Sequence, residues 1–270
     1  MQDTKGTAAH PPLSFDELRD VLRVTLRAGQ LLLEHGSDAH RVEETMHRMG
    51  TALGAVWMDV YVTSTGIIAS ATNGREHRSN IQRVVGGSID LSRIDAINHV
   101  ARRIASEALD CGAVAVELER IAQRPRHYGY WTTVGVVALA CGCFSQLFGG
   151  NWIELGIAML GATLALLVRQ ALMVRGTVLL LQIPVAACIA TLGVILLSLL
   201  LETKQYDITV PAAVLPLVPG VPLINAFSDL FASDYVSGIA RAAQAVLIAA
   251  EIAVGVALAL DIVRAFGVGV

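Results

Sequence analysis

The chain has 270 residues, a net charge of −3 and 54% hydrophobic residues, but only 16% charged residues, against about 25% in a typical soluble domain. The charge is uneven, because residues 1–130 hold 31 of the Asp, Glu, Lys and Arg side chains and residues 131–270 hold only 12. This division excludes a disordered chain, a fully soluble enzyme and a disulfide-stapled secreted domain. No run of Lys and Arg exceeds two residues, which argues against a nucleic-acid partner.

The N-terminal half begins with a segment that has no apolar core, so we expect no signal peptide. We predict that residues 1–12 are disordered and that the domain after them stays in the cytoplasm. Ser14 and Glu17 have the spacing of a capping box, which predicts the start of a helix. That helix is expected to end at Gly36, and a second helix to begin at Ser37 or Asp38.

The pattern of apolar residues then changes from helical to alternating. Val56–Thr63 alternates as a half-buried strand does, and turn residues separate it from further strands over Ile67–Ala71 and about Glu76–Val85. Helical patterns follow from Ser92 and over Ala113–Ala122. The order of these elements, two helices followed by three strands and two more helices, predicts a small α+β domain with helices over one face of the sheet.

The predicted second helix carries a polar set that could bind a metal. His40, Glu44 and His47 fall at i, i+4 and i+7, and the Glu-x-x-His spacing occurs in helical metal sites. Such sites need matching motifs on other helices, and we find none, so we predict no metal site and no cofactor. Arg41 with Glu43 and Glu44 is more economically interpreted as an ion-pair or docking cluster.

Enzymatic chemistry finds little support in the sequence. Ser37 and Ser64 could act as nucleophiles beside a histidine, but there is no Gly-x-Ser-x-Gly motif. Cys141 and Cys143 could form a soft-metal pair, but a third ligand is missing. We therefore predict no catalytic residues, although a membrane-anchored enzyme or a ligand sensor that uses the N-terminal domain stays open as the alternative.

Five apolar segments are long enough to cross a bilayer, which needs roughly 20 residues per helix. They are Trp131–Gly150, Trp152–Val174, Gly176–Leu201, Ile208–Ser228 and Ala242–Leu260. The fold class is therefore an α+β cytoplasmic domain over residues 13–127, followed by an all-α polytopic membrane domain over residues 128–270. Of the Lys and Arg residues near the span ends, six favour a cytoplasmic N-terminus and two oppose it.

The fourth span contains four prolines within twelve residues. Proline removes a backbone donor and pushes the preceding residue away from helical geometry, so the run from Pro219 and Gly220 to Pro222 predicts a broken helix that restarts at about Pro222. Inside a membrane, broken helices often mark transport sites. A proline-kinked helix, or a loop outside the membrane with no ligand, is the alternative.

The restarted helix would carry Asn225, Ser228 and Asp229 on one face, at i, i+3 and i+4. Free amides at a helix N-terminus attract an anion, and a carboxylate is the natural guest. Arg241 as a second cationic group would favour a dicarboxylate, whereas Asp229 would favour an amino acid. The predicted substrate-binding set is Pro219, Gly220, Pro222, Asn225, Ser228, Asp229 and Arg241.

Glu251 lies near the middle of the fifth span. A carboxylate at that depth is costly and is a functional candidate by default. We predict that it couples transport to protons, and the alternative is a structural hydrogen bond to a neighbouring helix.

Two stretches resemble the threonine/serine exporter family. The first is Gly36-Ser-Asp-Ala-His-Arg41-Val-Glu43-Glu44, followed by Gly54 and a strand pair. The second is Val218-Pro-Gly-Val-Pro222-Leu-Ile-Asn225-Ala-Phe-Ser-Asp229, continuing to Ser237-Gly238-Ile-Ala-Arg241. The resemblance covers nearly the whole chain from about Leu13.

Full-length members of that family have twice as many spans, so this chain resembles the split form, in which a five-span subunit works with a second small membrane protein. The resemblance implies an oligomeric, proton-coupled, multi-pass exporter in the bacterial inner membrane. Its cargo would be threonine and serine or a dicarboxylate such as succinate. A passive scaffold or channel subunit is a further hypothesis.

Overall fold

The computed structural model describes residues 13–125, 127–203 and 205–267. The predicted disorder of residues 1–12 lies outside these described residues.

By compactness the chain divides into two units that do not follow chain order. One contains the described part of Met1–Pro125 together with Val221–Ala242, and the other contains the described parts of Arg126–Gly220 and Ala243–Val270. Val221–Ala242 thus groups with the N-terminal residues. The predicted domain bounds, 13–127 and 128–270, assign this segment to the membrane domain.

The first unit opens with helices α1 (Phe15–Glu34) and α2 (Ala39–Ala52). The capping box is confirmed, because the Ser14 amide donates to Glu17 Oε2 at 2.7 Å and the Glu17 amide donates to Ser14 Oγ at 3.3 Å. The Asp38 carboxylate caps α2 by accepting from the Arg41 amide at 2.9 Å.

The turn between α1 and α2 depends on a glycine. Gly36 has a φ of +96°, a left-handed conformation that residues with a Cβ rarely adopt. Its amide donates to the Leu33 carbonyl, and the Ser37 amide donates to the Leu32 carbonyl, so the last turn of α1 is satisfied as the chain reverses.

Strands β1 (Trp57–Thr63), β2 (Gly66–Thr72) and β3 (His77–Arg83) form an antiparallel sheet in the order β1-β2-β3. Helices α3 (Leu91–Glu107) and α4 (Cys111–Ala122) follow, so the predicted order of elements is confirmed. One face of the sheet joins the helices in a single core. Fully buried members of that core include Leu18, Leu32, Met46, Met49, Met58, Ile67, Ile97, Ile104, Leu118 and Ile121.

The open edge of β1 is closed by side chains. Nδ1 of His47 lies 2.6 Å from the carbonyl oxygen of Met58. The amide of Val62 donates to Glu43 Oε1 at 2.7 Å, and the carbonyl of Val62 accepts from Ser237 Oγ at 2.9 Å. The edge is therefore blocked against pairing with another strand.

The apolar half of the chain forms helices α5 to α10. They are α5 (Tyr130–Leu147), α6 (Trp152–Val174), α7 (Leu179–Leu200), α8 (Tyr206–Val214) with a 3₁₀ turn (Leu215–Leu217), α9 (Gly220–Phe231) and α10 (Tyr235–Ala265). Among the described residues, four helices are long and apolar enough to cross a membrane, and five if α8 and α9 count as one bent span. The coarse fold class is thus confirmed.

The predicted break in the fourth span is confirmed. The helices on its two sides, Tyr206–Leu217 and Gly220–Phe231, are bent by 69°. Helix α9 begins at Gly220, two residues before the expected restart at about Pro222. Pro222 is tolerated in the first turn because the amide that it lacks has no intrahelical acceptor in any case.

Candidate functional site

The predicted cargo residues on α9 lie on its buried side. Asp229 is fully buried and Asn225 is 8% exposed, whereas Ser228 is half-buried. Large apolar residues occupy the other side of the helix, where Ile224 and Phe227 are exposed. Helix α9 is therefore amphipathic, and its polar face is turned towards protein.

The Asp229 carboxylate binds the first turn of α2. Its Oδ1 accepts a hydrogen bond of 2.8 Å from the amide of Ala39, the first residue of the helix. Because Asp38 already accepts from the Arg41 amide, two carboxylates satisfy orphan donors at this positively polarised end.

Arg241 completes the surroundings of that carboxylate. Its Nε lies 3.2 Å from Asp229 Oδ2, and its Nη2 donates to the carbonyl of Ser37 at 3.1 Å. Only 8% of Arg241 is exposed. Two opposite charges shielded from water need such compensation, because desolvation makes an unpaired buried charge costly.

Two further side chains bind backbone oxygens of the same unit. Asn225 Nδ2 donates to the carbonyl of Gly36 at 2.8 Å, and Ser237 Oγ donates to the carbonyl of Val62. We use the term "clamp" for the side chains of Asn225, Asp229, Ser237 and Arg241 together with the backbone of Gly36–Ala39 and Val62.

Helices α9 and α10 form a tight hairpin that places the clamp side chains together. The Asp234 amide donates to the Asp229 carbonyl at 2.8 Å, and Ser233 has a φ of +70°. A Cβ on Gly238 would lie 2.7 Å from Cγ of Leu230, so the hairpin requires a glycine at this crossing.

Further titratable groups surround the clamp. His40 Nδ1 lies 3.9 Å from Asp234 Oδ2. Burial raises the pKa of Glu43 above its ordinary value, and the charges of Asp234 and Asp229 add to the effect, although the hydrogen bond from the Val62 amide opposes it. The clamp therefore lies in surroundings with an excess of carboxylates.

The other predicted cargo residues lie at the start of α9. Pro219 is half-buried, Gly220 is exposed, and a Cβ on Gly220 would meet nothing within 4 Å. Pro222 is the third residue of the helix. The structure thus brings Asn225, Asp229 and Arg241 together around the turn between α1 and α2 and the first residue of α2, whereas Pro219 and Gly220 belong to the second compact unit.

Glu251, the proton-coupling candidate, lies within α10 in the second unit. It is half-buried. Its Oε2 is buried and has no hydrogen-bond partner among the described residues. Such an oxygen is available for a proton or for a ligand group.

The predicted cluster on α2 takes a different form. Arg41 Nε lies 3.3 Å from Asp38 Oδ2, and Arg48 Nη1 lies 3.9 Å from Glu44 Oε1. No ion pair within the described residues joins Arg41 to Glu43 or to Glu44. Glu43 instead binds β1.

The histidines of α2 also bind protein groups. His47 contacts the Met58 carbonyl and packs its ring 4.6 Å from that of Trp57, while His40 faces Asp234. In the described ranges, no group of three or more His, Cys, Asp or Glu residues is arranged to hold a metal ion.

Sequence reasoning missed the partners of the clamp side chains. Four of these partners are backbone groups, of Gly36, Ser37, Ala39 and Val62, and backbone groups carry no residue-specific signature. The pairing of Asp229 with Arg241 did have a signal, because two opposite charges in apolar surroundings tend to pair. Ser237 had no such signal.

Comparison with known proteins finds one family model and several named relatives that match the chain. The family model described as "Putative threonine/serine exporter" matches residues 23–263. A protein of Escherichia coli strain K12 named "Probable succinate transporter subunit YjjP" is 30% identical over 255 residues, which cover 93% of this chain and 97% of that protein. A protein of Klebsiella aerogenes with the same name is 29% identical, covering 90% and 94%.

A third relative is about twice as long as the matched region. The "Probable threonine/serine exporter" of Mycobacterium tuberculosis is 26% identical over 245 residues, which cover 90% of this chain and 46% of that protein. No solved structure matches the chain.

Proposed function

Because the chain belongs to the threonine/serine exporter family, we propose that it is a subunit of a bacterial inner-membrane exporter for small carboxylate metabolites. The relatives are named as transporters and exporters, not as enzymes. The cargo class comprises threonine, serine and dicarboxylates such as succinate, all of which carry a carboxylate.

The observation that supports this cargo class best is the bound carboxylate of Asp229. A helix amide and a buried guanidinium hold it from two sides, at 2.8 Å from Ala39 N and 3.2 Å from Arg241 Nε. These are the donors with which proteins recognise carboxylates. We propose Pro219, Gly220, Pro222, Asn225, Ser228, Asp229 and Arg241 as the residues that serve the cargo site.

Coupling to the proton gradient is assigned to Glu251. Its buried Oε2 lacks a hydrogen-bond partner among the described residues, and a carboxylate in an apolar span is suited to take up and release a proton.

We propose that the N-terminal domain is cytoplasmic, as the distribution of Lys and Arg favours, and the clamp supports the same side of the membrane for α9. Asn225 and Asp229 bind the backbone of the N-terminal domain, so the chain has returned to that side of the membrane by α9. An even number of crossings between Pro125 and Asn225 is therefore required. Helices α5, α6 and α7 provide three, and α8 with its 3₁₀ turn provides the fourth.

That fourth crossing is short. Tyr206–Leu217 is twelve residues long, about 18 Å of helix against about 30 Å of hydrocarbon. The exposed apolar side of α9, with Ile224, Phe227 and Phe231, completes it at the cytoplasmic face. Helix α10 then carries the chain across a fifth time, in agreement with the distribution of Lys and Arg.

A second membrane subunit completes the transporter. The two most similar relatives named here are each called a subunit, and the Mycobacterium tuberculosis exporter has about as much chain again beyond the matched region. We assign that remaining part to a separate small membrane protein, with which this chain assembles.

Counterflow in proteoliposomes tests the proposal. Purified chain is reconstituted with and without the candidate second subunit, and uptake of labelled succinate, threonine and serine is measured with and without a proton gradient. We expect uptake of at least one acid by the complete assembly. Asp229→Asn and Glu251→Gln are expected to abolish it while both variants still reach the membrane.

Asp261→Asn is the matched control, because Asp261 lies on α10 and forms an exposed pair with Arg264 at 3.8 Å. It should transport as the unaltered chain does. Normal transport by both Asp229→Asn and Glu251→Gln would refute these roles, and an assembly that moves none of the three acids would refute the export of carboxylates.

A further inference from the structure

We infer that the Ala39 amide and the Arg241 guanidinium are the carboxylate subsite of the exporter, that Asp229 occupies this subsite in the present conformation, and that a cargo carboxylate exchanges with Asp229. The inference rests on the proposed export function. In this role Asp229 competes with the cargo carboxylate for the two donors. It does not itself bind the cargo.

The geometry around Asp229 is that of an occupied anion site. Its two oxygens face different donors, because Oδ1 accepts from the Ala39 amide at 2.8 Å and Oδ2 lies 3.2 Å from Arg241 Nε. The side chain is fully buried. Oδ2 has no hydrogen-bond partner within the described residues. The Asp229 carboxylate therefore satisfies the Ala39 amide but not the hydrogen-bonding capacity of Arg241.

The donors are fixed independently of their guest. Arg241 is held by the Ser37 carbonyl at 3.1 Å, and the Ala39 amide belongs to a helix that Asp38 caps. If Asp229 withdrew, a buried cation and an open helix amide would remain unpaired, which is unfavourable. An incoming carboxylate restores both interactions, so exchange conserves the number of paired charges.

Exchange of Asp229 for a cargo carboxylate would also change how α9 is held against α2. Asp229 fixes α9 to α2, with Asn225 bonded to the Gly36 carbonyl one turn earlier. A cargo carboxylate bound to α2 and Arg241 removes the first of these links. Cargo binding would then loosen α9 from the N-terminal domain, a two-state change biased by the ligand.

Binding affinity distinguishes an internal competitor from a ligand. We propose to measure binding of labelled succinate, threonine and serine to the purified full-length chain, assembled with its second subunit, for the unaltered protein, Asp229→Asn and Asp261→Asn. Asparagine keeps an acceptor for the Ala39 amide but removes the negative charge that faces Arg241 Nε. Affinity of Asp229→Asn for the transported acid should rise at least about fivefold, because the competing state is weakened.

Asp261→Asn should bind as the unaltered chain does. Unchanged or weaker binding by Asp229→Asn would overturn the inference, since a ligand to the cargo's ammonium group would lose affinity when neutralised. Export itself would still stand in that case, because counterflow by the unaltered assembly is measured separately.

A second measurement, on protein that keeps Asp229, covers the case in which Asp229→Asn fails to fold. Nitroxide labels at Arg48→Cys and Phe231→Cys, both exposed, report the distance between α2 and α9 after the four native cysteines are replaced. A saturating concentration of the transported acid should produce a second, longer distance population. A distance distribution unchanged by the acid would overturn the inference.

Discussion

Asp229 Oδ1 lies 2.8 Å from the amide nitrogen of Ala39, 190 positions away in the chain. This single bond joins the helix that follows the broken span to the first turn of a helix in the N-terminal domain. Arg241 approaches the same carboxylate from α10. The proposed cargo site is thus built on an interaction that also determines how the first compact unit holds together.

The buried pair should dominate the local stability. Arg241→Met leaves the Asp229 carboxylate buried without its counter-charge, which typically costs about 3–5 kcal/mol. Thermal unfolding of the full chain in detergent, measured for Asp229→Asn, for Arg241→Met and for the double variant, gives the coupling energy of the pair through a double-mutant cycle. We expect the double variant to be more stable than Arg241→Met alone.

The exposed pair of Asp261 and Arg264, at 3.8 Å, is the comparison for that cycle. Exposed pairs are worth about 0–1 kcal/mol, so Arg264→Met should change little. Equal and small effects at Arg241 and Arg264 would contradict the importance of the buried pair.

Gly36 should not tolerate a side chain. Its φ of +96° costs an L-residue about 1–2 kcal/mol, and its carbonyl must stay in place to accept from Asn225. Gly36→Ala should lower the unfolding temperature and reduce counterflow. Gly135→Ala in α5, where a Cβ meets nothing within 4 Å, is the control and should have neither effect.

Gly238 should be required where α9 and α10 cross. A Cβ there would lie 2.7 Å from Leu230 Cγ and 3.1 Å from the Leu230 amide nitrogen, and overpacking of this kind costs about 1–3 kcal/mol. Gly238→Ala should therefore destabilise the chain, and Leu230→Ala in the same molecule should restore part of the loss. Thermal unfolding measures the stability of both variants. A Gly238→Ala variant as stable as the unaltered chain would contradict the close crossing of α9 and α10.

Glu43 gives a prediction about pH. Burial raises its pKa in the folded state, so its contribution to stability is fully present below its unfolded pKa and is lost as pH rises through the folded value. Glu43→Gln removes this loss and keeps an acceptor for the Val62 amide. The variant should gain stability relative to the unaltered chain as pH increases from about 4.3, the ordinary pKa of Glu, to neutrality.

Glu44→Gln on the same helix is the matched control, because Glu44 is exposed and only 3.9 Å from Arg48. The Glu44→Gln variant, measured in parallel, gives the effect of removing one carboxylate from the exposed side of α2. A Glu43→Gln curve parallel to that of the unaltered chain would contradict the buried position of the carboxylate.

Local chemistry explains which features could be predicted from the sequence. The capping box of Ser14 and Glu17 acts within one turn, and the break at Pro219 follows from the geometry of proline itself. Four of the five expected spans appear as long apolar helices and the other as a bent pair. Each of these features depends only on residues close together in the chain.

The arrangement of the clamp could not be predicted in the same way. Asn225 and Asp229 were expected on one face of a helix, and they are, but their partners are the Gly36 carbonyl and the Ala39 amide. Every residue except proline offers both groups, so no pattern singles these out. The opposite charges of Asp229 and Arg241 were interpreted as alternative cargo ligands, although charges in apolar segments often pair with each other.

Competition for the cargo site shows whether the exporter requires a cargo carboxylate and whether Arg241 imposes that requirement. Competition against the labelled acid that the assembly transports compares L-threonine with L-threoninamide, and succinate with succinamide. We predict that each acid displaces the label, that the corresponding amide, which lacks the carboxylate, does not, and that Arg241→Gln removes the preference. Equal competition by the acid and its amide in the unaltered protein would contradict the account.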